Sequence, residues 1–458
     1  SGNPIFFGLS IGGFLSIILF FNPLKIVWIL MISGLLFAGI IPIWAQDIST
    51  KATWGISLLG FTLFPAVYAK ILIRKISLKN TPPFIWISFI FVIYISLNSL
   101  FHYNFTYESI SGFKRYFQAT GLLFALAWLP IPQRSIKIML NFFVIVVIVQ
   151  LPFALYELLI LVPIREVIQR FSPYLAPIDV VAGTFGSNLY TGGANGEMAT
   201  FLIIAMAFFI NRWKFKILSS FKLLLILPFI VIPLLLGETK IVIFFLPLMI
   251  LVLYREELLI RPISAMTIIF CVLMITILAG YMYLNINHYN LDEMISKTLS
   301  YNIYEKGYGV YYLNRTTTLT FWAKHQNIHG PLSFFFGNGL GSAHENTLGH
   351  IAILYPGYGI GLTGASLLLW EGGIIGIALF ISILILAWIS ANKIKNSSSY
   401  NWVHADASAI QASLPLCLLY LLYGPALFET LTFQIVFYLL LGYLSWLYRY
   451  CFSQQFLK

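Results

Sequence analysis

The sequence predicts an all-α, polytopic integral membrane protein of about 12 to 14 transmembrane helices with a large helical outer loop. Three observations predict it. Hydrophobic residues fill 59% and charged residues only 9% of the 458 positions, and the mean hydropathy is +0.88, a composition that would leave a soluble fold without a surface. Apolar runs long enough to cross about 30 Å of hydrocarbon as helices recur along the whole chain. These runs lack the period-two alternation of a transmembrane barrel, so the helix remains as the spanning element, since lipid offers no partner to an unpaired backbone group.

Taken in order, the candidate spans are 5–21, 26–45, 53–70, 82–101, 111–130, 137–158, 197–211, 221–236, 241–254, 263–284, 365–391, 410–428 and 431–448. They divide the chain into residues 1–284 with ten helices and an outer loop at about 159–196, a large loop at 285–364, and a C-terminal helical part at 365–458. Ser1 and Gly2, without a methionine, read as the remnant of a removed tag, and the first apolar run reads as a helix rather than a cleaved leader. Cys271, Cys417 and Cys451 fall in or beside apolar runs with no paired spacing, which suggests neither a disulfide framework nor a zinc site.

Orientation follows from the bias of basic residues toward cytoplasmic loops. Lys70, Arg74, Lys75 and Lys79, then Arg134 and Lys137, then Arg212, Lys214 and Lys216, then Arg255 and Arg261, then Lys393 and Lys395 all fall on one side if the spans alternate as drawn. The two long connections, 159–196 and 285–364, then lie on the opposite, periplasmic side, where long structured loops carry function. The net charge of +11 comes mostly from the cytoplasmic set. More informative are the basic residues near the outer face, Lys114, Arg115, Arg165, Arg170, Lys240 and Arg315. Lys240 sits in so tight a turn between spans that its ammonium lies at the bilayer edge, where an ionisable group is costly and marks a site. Cations gathered there suit an anion anchored in lipid, such as a diphosphate on a polyprenyl carrier.

The loop 285–364 is rich in Tyr, Gly, Asn, Thr and His and holds His288, His325, His329, His344 and His350. Tyr301, Tyr304, Tyr308, Tyr311, Tyr312, Trp322 and Tyr355 are candidates to stack on sugar faces or to rest on the interface. Arg315 and Leu319 are spaced one turn apart on a predicted short amphipathic helix. The glycines at 337, 339 and 341 permit close backbone approach to a ligand, but no strand or Gly-Lys-Ser sequence makes them a nucleotide loop. The six-residue spacing of His344 and His350 is not that of a helical metal pair, so no metal is expected. Neutral imidazole at either position could take a proton from a sugar hydroxyl.

These features together resemble the bacterial O-antigen polymerase and O-antigen ligase superfamily. The resemblance spans roughly 183–390 and rests on Gly183, Gly186 and Asn188 before a span, Lys240 opening a span, Arg315 with Leu319, Gly337, Gly339, Gly341 and Ser342 followed by His344, and Glu371, Gly373 and Gly376 entering the next helix. It implies a C-type glycosyltransferase, inverting and independent of metal, cofactor or nucleotide, that uses a polyprenyl-diphosphate-linked glycan. It further implies that Arg315 and Lys240 grip the diphosphate, with Arg165, Arg170, Lys114 and Arg115 as further cations. His344 or His350 would activate the acceptor, with Glu345 to orient the base or replace it. Tyr311, Tyr312, Trp322 and Tyr355 would line the glycan path.

The function this implies is polymerisation: a growing glycan passes from undecaprenyl diphosphate to a lipid-linked repeat unit at the periplasmic face of the inner membrane, with membrane lipid and a chain-length regulator as partners and no nucleic acid. An O-antigen ligase would use the same donor and deliver the glycan to lipid A core. A transporter or flippase of lipid-linked sugars would carry charges deep in several helices and a two-halves repeat; mid-span charges here are few and no repeat is found. A purely structural membrane subunit would tolerate alanine at Arg315, Lys240 and both histidines.

Overall fold

The computed structural model describes residues 4–44, 46–101, 107–172, 175–263, 290–304, 310–328 and 330–452, with residue 307 and scattered positions between 266 and 281. The expected span 263–284 lies largely outside the described residues, as do His288, Tyr308 and His329. All regular secondary structure among the described residues is helical.

Six helices are long and apolar enough to cross a membrane: Thr53–Arg74, Pro83–Leu100, Gln133–Gln169, Gly364–Ser397, Asn401–Tyr423 and Leu431–Phe452. Four more apolar helices are shorter, at 10–17 residues. Several of the expected spans differ within the described residues, because their apolar runs are interrupted. The run 26–45 passes through a π turn at Ser33–Phe37, where a Cβ on Gly34 would meet Ile435 at 2.0 Å. The run 111–130 splits at Gln118, whose carbonyl lies 1.8 Å from where a Cβ on Gly60 would stand. Two other expectations fall short in the opposite sense. The helix predicted to end at 158 continues to Gln169, and the one predicted to begin at 410 starts at Asn401.

The body and the site are framed by α1 (Gln46–Arg74), α2 (Tyr107–Phe117), α3 (Thr120–Trp128), α4 (Gln133–Tyr156), α5 (Asn195–Lys214), α6 (Gly364–Ser397), α7 (Asn401–Tyr423) and α8 (Leu431–Phe452). Helices α3 and α8 form the centre. Every residue of α3 is buried, and so is nearly every residue of α8 from Leu431 to Leu447; a helix apolar all round belongs inside the bundle. Buried Arg449 on α8 donates to the carbonyl oxygen of Ala127 at 2.6 Å, and the Trp446 indole donates to that of Ile131 at 2.9 Å. The cation thus caps the open carbonyls at the end of α3, where the helix dipole favours it.

At one end of the bundle, basic residues from the expected cytoplasmic set meet acids. Arg212 forks onto Asp406 with two bonds of 2.7 Å, and the Tyr443 hydroxyl donates to the same carboxylate at 2.5 Å. Lys395 pairs with Glu256 and Lys214 with Glu257. Asp406 is fully buried, so Asp406→Ala strands a guanidinium and a hydroxyl together. It is expected to cost about 3 kcal/mol, read as a fall in thermal midpoint in detergent, and no fall would show the pair to be ornamental.

Candidate polar site at one end of the bundle

The opposite end is set by α5, which places Asn195 about 26 Å from Arg212. Here α4 overshoots, since 37 continuous helical residues measure about 55 Å. A π turn at Glu157–Leu161 widens the helix and turns Glu157 inward, a distortion common at functional sites. Its carboxylate accepts the backbone N–H groups of Ala182 and Gly183 at 2.8 and 2.6 Å and the Ser187 hydroxyl. Two turns back, Gln150 clamps Thr184 through backbone and hydroxyl at 2.9 and 2.8 Å. These two side chains fix the loop 180–188, with Gly183 at φ +61°, and so fix Asp179 beside it.

Asp179 is where the outer cations meet. Burial pushes its carboxyl up, and the opposing pull comes from Arg165, then from a hydrogen bond of Asn195, then from Lys240 and Arg315. Arg165, 1% exposed on the extension of α4, donates to the carbonyl oxygen of Asn188 at 3.0 Å. Lys240 lies 3.4 Å from the Thr298 hydroxyl. Arg315 donates through Nε to the carbonyl oxygen of Tyr423 at 2.7 Å and through a terminal nitrogen to Asn302 at 2.8 Å, with its guanidinium 4.3 Å over the Tyr423 ring. It sits in the turn ahead of the helix Thr317–His325 rather than on it, so the expected helical pairing of Arg315 with Leu319 is corrected. The turn is fixed instead by buried Asn314, which caps Thr316 and Thr317 at 3.0 and 2.8 Å.

A second group adjoins the first through α5, α7 and the short helix Ala426–Glu429. Two glycine-rich segments recognised in the sequence lock into each other here. Gly373, at φ +63°, breaks α6 and frees the carbonyls before it. The N–H groups of Asn338 and Gly339 take those of Trp370 and Glu371 at 2.8 and 3.0 Å, and Tyr94 takes that of Gly372 at 2.7 Å. The Glu371 carboxylate then accepts the N–H of Gly341 at 3.0 Å.

Against this loop lies one face of α2, where Glu108, Gly112 and Arg115 recur at helical spacing. Glu108 takes His350 twice, at Nδ1 (2.7 Å) and at the backbone N–H (2.8 Å). Gly112 leaves room for the loop, since a Cβ there would stand 2.5 Å from the N of Gly341. Arg115 bonds His344 and lies 3.4 Å from Glu429. His344 is held on both sides: Nδ1 lies 2.9 Å from Glu429 and Nε2 3.7 Å from Glu371. Nε2 is enclosed and has no hydrogen-bond partner among the described residues. Burial raises the Glu429 carboxyl, but His344 and Arg115 outweigh it and hold the group below the ordinary carboxylate range.

Arg165, Lys240 and Arg315 thus all act electrostatically on Asp179, and Arg115 joins His344 instead. Lys114 is turned toward α1, 5.0 Å over the Trp54 ring and 3.5 Å from the Thr53 hydroxyl. Arg170 is exposed past the end of the α4 extension and is not among the groups acting on Asp179. Glu345 accepts the N–H of Gly359 at 2.9 Å; the carboxylates that hold His344 are Glu429 and Glu371, which corrects the expected orienting role of Glu345. Trp322 is packed in the core against Phe334 at 5.7 Å, so it offers no face to a sugar. Tyr355 is half-buried in an aromatic group with Phe321, Tyr358 and Trp370. Tyr312 is exposed, and the Tyr311 phenol is pushed up by burial and by the charges of Glu345 and Glu429.

Sequence reasoning missed Asp179, Glu108 and Glu429, and it quoted Glu371 only as part of a motif, without a role. With only 16 acids in the chain, any acid at the outer end of a span was a candidate partner for an outer cation, and that complementarity was the available signal.

Comparison with known proteins finds no family model that matches this chain and no curated protein that matches it. What fold and site define, among the described residues, is a helical protein with six helices fit to span a membrane and a polar, cation-bearing end of the bundle.

Proposed function

We propose that this chain is a polysaccharide polymerase of the bacterial inner membrane, which transfers a growing glycan from polyprenyl diphosphate to a lipid-linked repeat unit. The polar end faces the periplasm in this reading, and the end with Arg212, Lys214, Arg255 and Lys395 faces the cytoplasm, as the bias of basic loops requires. The observation that supports it is that Arg165, Lys240 and Arg315, from three separate segments, all act electrostatically on the carboxylate of Asp179. Cations gathered beside the membrane suit a lipid diphosphate, an anion of matching charge and anchorage. Charge developing on the leaving diphosphate is stabilised by cations already in place. Tyr311 and Tyr312 lie at the glycan side of the site.

The test is transfer by the purified protein in lipid nanodiscs, supplied only with polyprenyl-diphosphate-linked oligosaccharide. A ladder of lengthened glycans supports the reading; unchanged starting material rejects it. Supplying lipid A core as acceptor separates the ligase, which would use the same cations. Lys240→Arg is expected to keep transfer within about threefold, whereas Lys240→Ala loses about tenfold or more, as a charge-assisted contact to phosphate implies. Equal losses in both would argue against a phosphate contact.

A further inference from the structure

We infer that the Glu429 carboxylate, rather than His344, takes the proton from the acceptor hydroxyl, with Arg115 and His344 as positioning residues. The inference rests on the transfer reaction proposed above and names its proton acceptor.

The argument begins with access. His344 is 7% exposed, with Nδ1 on Glu429 and Nε2 enclosed toward Glu371. Neither ring nitrogen is presented to a substrate. Glu429, on the short helix between α7 and α8, has a side chain 29% exposed. It is therefore the open end of the Glu371–His344–Glu429 row. His350 docks on Glu108, seven residues and about 10 Å along α2 from Arg115, so the two histidines occupy separate positions and only one adjoins Glu429.

Location comes next. Glu429 acts electrostatically on Tyr311 and on Glu197, and Glu197 bonds Tyr420, which in turn feels Arg315. Glu429 is thus linked electrostatically to the loop carrying Tyr311 and, through Glu197 and Tyr420, to Arg315. The charged and titratable groups facing it are Arg115 and Tyr116 from α2, His344 from the loop, Glu197 from α5, and Tyr311. The two cationic or cation-forming members contact it directly and favour the ionised form, which is the form a base requires.

The step balances without a co-reactant. The acceptor oxygen forms a bond to the anomeric carbon, the bond from that carbon to the diphosphate oxygen breaks, and its electron pair leaves with the polyprenyl diphosphate. The hydroxyl proton passes to Glu429 and then to water. A carboxylate suffices as base where the transition state resembles an oxocarbenium ion, as in inverting glycoside hydrolysis.

The experiment measures transfer against pH and, separately, binding of a fluorescent polyprenyl diphosphate, for the wild-type protein, E429Q, E429D, H344Q and H350A in nanodiscs. E429Q is expected to lose about 100-fold or more in transfer rate while binding the diphosphate within about twofold of wild type. E429D, which keeps the carboxylate but shortens its reach, is expected to lose about tenfold and to retain the acid limb of the pH profile. H344Q, which keeps a donor toward Glu429, is expected to retain measurable transfer with that limb displaced upward, and H350A to retain the limb in place. Should E429Q not fold, E429D decides, and a wild-type rate for E429D with the acid limb gone in H344Q or H350A overturns the inference. Wild-type transfer in E429Q also overturns it while leaving the polymerase reading intact. A wild-type protein that neither binds nor transfers from the diphosphate overturns both.

Discussion

Arg315→Ala is expected to lower glycan transfer by about 100- to 1,000-fold, the loss typical of removing one preorganised donor from developing negative charge, in a protein that still elutes as a single species in detergent. Arg315 is held by the carbonyl oxygen of Tyr423, by Asn302 and over the Tyr423 ring. Those contacts lie at the end of α7, not in the α3 and α8 core, so the expected cost to stability is small. Because the guanidinium is already aimed, it needs no reorganisation when the diphosphate leaves. A rate within threefold of wild type would remove Arg315 from the phosphate site, and a collapsed elution profile would show its role to be structural.

The second large effect is on stability. Gly341→Ala is expected to destabilise the protein by about 3 kcal/mol or more, since it combines a disfavoured backbone conformation with a steric overlap. Gly341 adopts φ +83°, and a Cβ there would stand 2.1 Å from the carbonyl oxygen of Glu108. That approach is what lets α2 lay Glu108 and Arg115 onto the loop with both histidines. Gly330 isolates the two causes, being at φ +82° with nothing within 4 Å of its would-be Cβ. Gly330→Ala is expected to cost about 2 kcal/mol, the conformational part, because φ +82° with ψ −171° is a region that essentially only glycine adopts. Thermal midpoints in detergent measure both, and equal shifts would mean that contact between α2 and the loop contributes nothing.

Helical class, the membrane-spanning composition and the grouping of Arg212, Lys214, Arg255 and Lys395 were legible because hydropathy and loop charge act locally along the chain. The glycine-rich segment at 337–341 and the Glu371 to Gly373 segment were also legible as special, but not as partners, because only the break at Gly373 shows that one supplies donors for the carbonyls the other frees. The helix break at Gln118 and the π turn at Ser33–Phe37 escaped notice, since each lies against a distant segment, Gly60 in one case and Ile435 in the other. Arg165, Lys240 and Arg315 stand out in the sequence by their costly positions, and all three act on Asp179. Lys114 and Arg115, adjacent in sequence, point about 100° apart on α2 and so serve different neighbours. Glu429 went unseen because a single acid between two apolar helices carries no spacing pattern, and its role depends on residues 85 and 314 positions away, His344 and Arg115.

The central claim is tested most directly by a cryo-EM map of the nanodisc-embedded protein with a polyprenyl diphosphate bound. The account predicts density for two phosphates within contact distance of Arg315 and Lys240, beside Asp179, with the isoprenoid chain leading into lipid. Phosphate density at the opposite end, near Arg212 and Lys395, or none at saturating lipid, would contradict it.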